Sequence, residues 1–201
     1  MKRSFYYSDM ARTKEYDRND VLNKAVDLFW RQGYKASSVA DVVQATGLNT
    51  ASMYKEFGDK DHLFEETLEH YRQNIIGPRI KILTDHPNLT GVEAFLESVI
   101  NGAASKKYKG CLMMNHLAQQ HSISLRAARQ IGEFCETMES LLSVALRNAQ
   151  LEGDIPAGKD PATLASFVMC SVHGLVLYGR HTDKKPNIPN LYAIIFHALK
   201  A

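Results

Sequence analysis

The sequence predicts an all-α protein, with a group of three short N-terminal helices followed by a larger helical domain, and three observations lead there. Apolar residues recur at three- and four-residue spacing along most of the chain, as in Val21, Leu22, Ala25, Val26, Leu28 and Phe29. Gly33, Gly47 and Gly58 cut the N-terminal part into helix-length pieces. Two stretches near the C-terminus, about 160 to 178 and 189 to 200, are apolar on more than one side, so they are central in a domain or shared with a partner chain.

With 201 residues, 45% of them hydrophobic, the chain can bury a sizeable core. The longest nearly apolar run, 167 to 179, is too short for a membrane span and contains Ser171 and His173, and the N-terminal MKRSFYYSDM lacks the apolar core of a signal peptide. A cytosolic protein without a membrane partner is expected. Cys111, Cys135 and Cys170 are an odd, widely spaced set and do not read as a disulfide framework. Residues 1 to 60 carry 10 Lys+Arg against 8 Asp+Glu, so the formal excess of +2 lies there. Its sign suits phosphate binding, but its size identifies nothing.

Residues 1 to 16 form an arm with Lys2, Arg3, Arg12 and Lys14, read either as a groove-reaching segment or as a solvated terminus. The first helix starts near Asp17, a capping residue with Asp20 three positions on, and stops at Gly33. Ser38 followed by Asp41 is a capping-box-like start for a second helix, with Val39, Val42, Val43 and Ala45 inward, ending at Gly47. Leu48 plugs the turn, and Asn49 or Thr50 caps a third helix running to about Phe57.

At about 100° per residue, Thr50, Ala51, Tyr54 and Lys55 share an arc of roughly 140°, while Met53 and Phe57 face the first two helices. One side packs and the other is free to read a groove. Small Ala51 and Ser52 allow close approach of the backbone, and Tyr54 and Lys55 offer a hydroxyl and a cation to phosphates or base edges. Two helices about a glycine turn have the layout of a helix-turn-helix.

The run LFWRQGYKASSVADVVQATGLNTASMYKEFGDKDHLF closely resembles the DNA-binding domain of the TetR family of transcriptional regulators. The landmarks are Leu28 and Phe29 before Gly33 and Tyr34, Ser37 and Ser38, Thr46 and Gly47, Met53 with Tyr54, and Phe57, Gly58, Lys60, Leu63 and Phe64. The resemblance implies that Ser38, Tyr54 and Lys60 contact phosphates and that Thr50, Ala51, Ser52 and Lys55 approach bases of a double-stranded operator. It also implies a homodimer through the last two helices. The domains expected are an arm over 1–16, a helix-turn-helix domain over 17–60, and a ligand-sensing and dimerisation domain over 61–201.

A long fourth helix from Asp59 to about Leu83 is expected to be kinked or interrupted by Pro78, which follows Gly77. Further helices are expected from Thr90 or Gly91, within CLMMNHLAQQ, and from about Ser124 to Leu151. Among them, Phe95, Met113, Met114, Phe134, Met138 and Phe167, with polar Asn115, His116 and His173, suggest a mostly apolar pocket for a small-molecule effector. The same stripe also reads as ordinary core.

Cys111, after Gly110 and near Lys106, Lys107 and Lys109, is a candidate redox or electrophile sensor if a helix start and the lysines favour its thiolate; a buried inert cysteine is the other reading. The GCL followed by Asn115 is similar to a motif of a subgroup of the family. A soft metal site from Cys111, Met113, Met114, His116 and His121 matches no defined spacing, and no cofactor is expected. The chain has no GxSxG, HExxH, P-loop or Rossmann fingerprint, so an enzyme is not expected. The reading is a homodimeric repressor released by a small-molecule or thiol-modifying signal. Its alternative is a helical enzyme or ligand-binding protein without sequence-specific DNA binding.

Overall fold

The computed structural model describes residues 16–105, 108–117, 119–180 and 188–200, and among them there are helices and no strand. The expected arm, apart from Tyr16, and Lys106 and Lys107 of the basic loop lie outside the described residues. Helix α1 (Arg18–Gln32) starts where Asp17 accepts a hydrogen bond from the Asn19 amide and ends at Gly33, whose φ of 80° suits glycine. Helix α2 (Val39–Thr46) opens with the full capping box of Ser38 and Asp41. In α3 (Thr50–Phe57) Asn49 supplies the cap, accepting from the Ser52 amide at 2.8 Å.

These three helices close over one apolar centre. Phe29 meets Phe64 edge-to-face at 5.1 Å, Tyr34 lies 4.8 Å from the same ring, and Met53 and Phe57 are buried beneath. Phe64 belongs to α4 (Lys60–Tyr71), so the first half of the expected long fourth helix, the connector to the C-terminal helices, completes the N-terminal core. Burying such a ring contributes about 1.5–3 kcal/mol.

The predicted interruption of the long helix is present, but upstream of Pro78. After Tyr71 the chain makes a π-turn over Arg72–Ile76, with the Gly77 amide bonded to the Arg72 carbonyl, and only then resumes as α5 (Gly77–Asp85). Pro78 has no amide proton for the carbonyl four residues back and its ring crowds that carbonyl. Widening the preceding turn by one residue accommodates both.

Asn88 caps α6 (Leu89–Ala104), one residue before the expected start, and the short α7 spans Leu112–Leu117. Ser124 caps α8 (Leu125–Leu151) and also donates to Glu65 Oε1 at 2.7 Å, fastening the start of α8 to α4. Asp160 caps α9 (Pro161–Tyr178), and α10 spans Ile188–Lys200.

Helix α9 extends beyond the apolar run noted in the sequence. Its 18 residues have a mean hydropathy of 1.4, long and apolar enough to cross a membrane by those measures, which the shorter run had not suggested. Ala165, Val168, Met169, Val172, Leu175 and Val176 nevertheless pack into the helical core. Its opposite side leaves Phe167, Leu177 and Tyr178 at 40%, 55% and 54% exposure, and α10 adds Leu191 and Ile194 at 36% and 64%.

Candidate DNA-binding site and internal cavity

Met53 and Phe57 point into the N-terminal core, and this sets the orientation of α3. The opposite side exposes Thr50, Ala51, Tyr54 and Lys55, with Ser52 half-buried beside them. Ser38 is exposed at the start of α2, where its Oγ accepts from the Asp41 amide at 3.2 Å and donates to Asp41 Oδ2 at 2.6 Å. The Ser38 hydroxyl and the Ser38 amide, which donates to Asp41 Oδ2 at 2.7 Å, hold the Asp41 carboxyl below its ordinary value. Ser38 thus presents an ordered helix start of the kind that binds phosphate oxygens.

Lys60 sits differently from the expectation of a projecting phosphate donor. Its ammonium turns inward and donates to the Tyr34 and Ser37 carbonyls at 3.1 and 2.7 Å, 4.1 Å from the centre of the Tyr34 ring. Burial lowers its pKa. The lysine ties the turn between α1 and α2 to the start of α4, and so fixes where α2 begins.

The same turn is held from the other side by α7. His116 is buried, donates from Nδ1 to the Leu112 carbonyl at 2.8 Å, and accepts the Tyr34 amide on Nε2 at 3.1 Å. Burial lowers its pKa and favours the neutral ring that this acceptor role requires. Its expected role as a ligand contact is corrected on that ground, since both ring nitrogens are engaged.

Among the other expected ligand contacts, Phe95, Met114, Phe134 and Met138 come together around a cavity of about 30 Å³. Ile76, Arg79, Val99, Tyr108, Cys111, Met169, Val172 and Val176 complete its wall. Met113 instead lines a cleft of about 270 Å³ beside the π-turn, on the far side of Phe134. Asn115 donates from Nδ2 to the Lys109 carbonyl at 3.0 Å and borders a separate cleft with His116 and Arg180. His173 is half-buried on α9 with Nε2 unpaired, and burial lowers its pKa, but it is not in the cavity wall. Phe167 is corrected outright, for it faces outward from α9.

Cys111 lines the cavity and is buried, which fits the second of its two readings. Burial raises the thiol's pKa, outweighing the Met113 and Met114 amides, the Tyr71 hydroxyl and the charge of Arg79. Lys109, counted on from the sequence, is drawn off to Asp27 and lies over the Trp30 ring. Among the described residues no group of His, Cys, Asp and Glu is arranged to hold a metal ion. Sequence reasoning missed Arg79 and Tyr108, although a lone arginine between Ile76 and Ile80 on an otherwise inward-facing stripe was a readable signal.

Comparison with known proteins agrees with this geometry. The family model described as bacterial regulatory proteins, tetR family, matches residues 21–67. The HTH-type transcriptional repressor ComR of Escherichia coli K12 is 30% identical over 173 residues, 85% of this chain and 82% of ComR. DhaR, an HTH-type transcriptional repressor of a Mycobacterium species, is 21% identical over 192 residues, 94% of each chain. Among solved structures, a cysteine mutant of the TetR family transcriptional regulator CifR, complexed with 26bp double-strand operator DNA, superposes with a TM-score of 0.75 at 26% identity, covering 94% of this chain and 99% of that one. The reduced form of E. coli NemR, at 17% identity and a TM-score of 0.78 over 89% of this chain and 94% of its own, shares the fold. The chain therefore belongs to the TetR family of bacterial regulatory proteins, and it is a DNA-binding transcriptional regulator.

Proposed function

We propose that the protein works in the cytoplasm as a homodimeric repressor, occupying a two-fold operator until a small ligand enters the cavity of its C-terminal helices. The reading rests chiefly on α3, which buries Met53 and Phe57 and exposes Thr50, Ala51, Tyr54 and Lys55 on one side. Tyr54 and Ser38 serve the phosphates; Thr50, Ala51, Ser52 and Lys55 serve the bases. Lys60 acts mainly by holding the turn that positions α2. That ComR and DhaR are repressors supports repression.

The outward apolar side of α9 and α10 supports the dimer. Phe167, Leu177, Tyr178, Leu191 and Ile194 are too many large apolar side chains for an isolated surface. A two-fold pairing through them would set two recognition helices about 34 Å apart, one per half-site.

Release follows from what the cavity touches. Ile76 and Arg79 belong to the connector, whereas Cys111 and Met114 lie on or beside α7, whose His116 holds Tyr34. A ligand that spreads these walls moves both attachments of the DNA-binding helices. Driving the operator-bound form from 99:1 to 1:99 takes about 5.5 kcal/mol of differential binding. The test is a mobility-shift titration of a duplex from the protein's own upstream region against a random duplex, alongside sedimentation. Selective binding by a dimer is expected; equal affinity for both duplexes at moderate salt would overturn the reading.

A further inference from the structure

The cavity has one charged wall residue. Arg79 lies on the first turn of α5, with its guanidinium against Gly102 of α6, while the remaining wall is dominated by Phe95, Phe134, Met138, Met169 and Val172. Among the described residues the guanidinium has no carboxylate or hydrogen-bond partner, unlike Arg18, Arg72 and Arg126, each of which meets a glutamate. Its field instead reaches Tyr71, Tyr108 and Cys111, which converge from the connector and the segment before α7. A forked cation at an apolar wall is a receptor for a planar anion, because a carboxylate accepts two parallel hydrogen bonds from it.

Building on the reading that this domain binds an effector, we infer that the effector is a small apolar carboxylic acid, its carboxylate on Arg79 beside the Tyr108 hydroxyl and its hydrocarbon among Phe95, Met138 and Met169. The free space of about 30 Å³ is roughly that of one water molecule, so the hydrocarbon enters by displacing side chains. Met114, Met138 and Met169 are the adaptable part of the wall, being unbranched and flexible. Ile76 is the consequential part. It closes the π-turn, and Arg79 follows three residues later, so a carboxylate that draws on Arg79 and a chain that pushes on Ile76 act on the same joint.

The test measures hexanoate, octanoate and decanoate against the matching alcohols by calorimetry on the 201-residue protein without DNA. Octanoate should bind at least about tenfold more tightly than octanol, the scale of a charge-assisted bidentate pair. Arg79→Gln should abolish that preference while leaving helicity intact, and Arg79→Lys should keep part of it, since the charge remains but the fork is lost. Equal binding of acid and alcohol, an acid preference that survives in Arg79→Gln, or no binding of any acid would each overturn the inference. The operator-shift experiment above is independent of these outcomes, so a failed carboxylate leaves the regulator reading to stand or fall by itself.

Discussion

His116 Nε2 accepts the backbone amide of Tyr34 at 3.1 Å across 82 residues of sequence, making α7 a direct support of the turn that precedes α2. The amide is buried and has no solvent to turn to, so losing the imidazole leaves a donor unpaired. His116→Phe should cost about 1–3 kcal/mol. It should also flatten the acid dependence of stability. The folded pKa is depressed by burial, so between it and the ordinary histidine value of about 6.5 the unfolded chain binds more protons. The contribution is complete above that value and is lost as pH falls. Thermal midpoints from neutral to mildly acid pH check this, because His70 and His173, also depressed, are common to both proteins. A wild type no more acid-sensitive than the variant would contradict it.

Lys60 gives a prediction that separates two roles. An exposed phosphate donor could be removed without affecting the free protein. As the structure has it, Lys60→Met strips hydrogen bonds from the Tyr34 and Ser37 carbonyls and should lower stability by about 1–2 kcal/mol even without DNA. An unchanged melting temperature with weakened operator binding would restore the simpler role.

Ser38 combines a structural bond with a proposed phosphate contact, and two substitutions divide them. Ser38→Ala removes the cap and should cost about 1 kcal/mol of stability together with affinity. Ser38→Asp restores a capping side chain but sets a negative charge toward DNA. Its stability should be near wild type and its operator affinity lower by about tenfold or more. Comparable affinity in Ser38→Asp and wild type would argue that no phosphate comes near.

On α3, Tyr54 is 48% exposed and Lys55 is exposed, so neither contributes much to folding. Tyr54→Phe and Lys55→Ala should leave helicity and melting unchanged while weakening operator binding, each by about 1 kcal/mol or more. If Lys55 reaches a phosphate as well as a base, its removal should also lower the salt dependence by about one ion. Affinities unmoved in both variants would mean that another surface reads the operator.

Ile194 is 64% exposed on α10, and Ile194→Lys places a charge in the middle of the proposed two-fold contact. Sedimentation should show monomers at concentrations where the wild type is dimeric, with operator affinity reduced in step. A dimer that persists would relocate the interface.

The N-terminal helices were legible in the sequence because each of their boundaries has a local cause. Asp17, Ser38 and Asn49 cap within their own turns, and Gly33 and Gly47 end helices through their own φ. The cavity was legible only in part. Phe95, Met114, Phe134 and Met138 could be picked out as apolar helix positions, but which of them share a void depends on how α5, α6, α8 and α9 cross. The inward turn of Lys60 and the reach of His116 to Tyr34 depend on contacts 26 and 82 residues apart, which no local pattern encodes. Phe167 failed for a related reason, since periodicity alone does not say which side of a doubly apolar helix faces its own chain.

The π-turn at Arg72–Ile76 changes the phase of the connector. One surplus residue rotates everything after it by about 100° relative to an unbroken helix. Ahead of it, Phe64, Leu68 and Tyr71 are aligned with the N-terminal core and α7; beyond it, Ile76, Arg79 and Leu83 are aligned with α6 and α8. A single continuous helix would have to choose between those alignments. The two halves of the molecule therefore meet through an angular offset, and a residue deleted from this turn would bring Arg79 out of line with the cavity while leaving every cap and every buried ring of the DNA-binding helices in place.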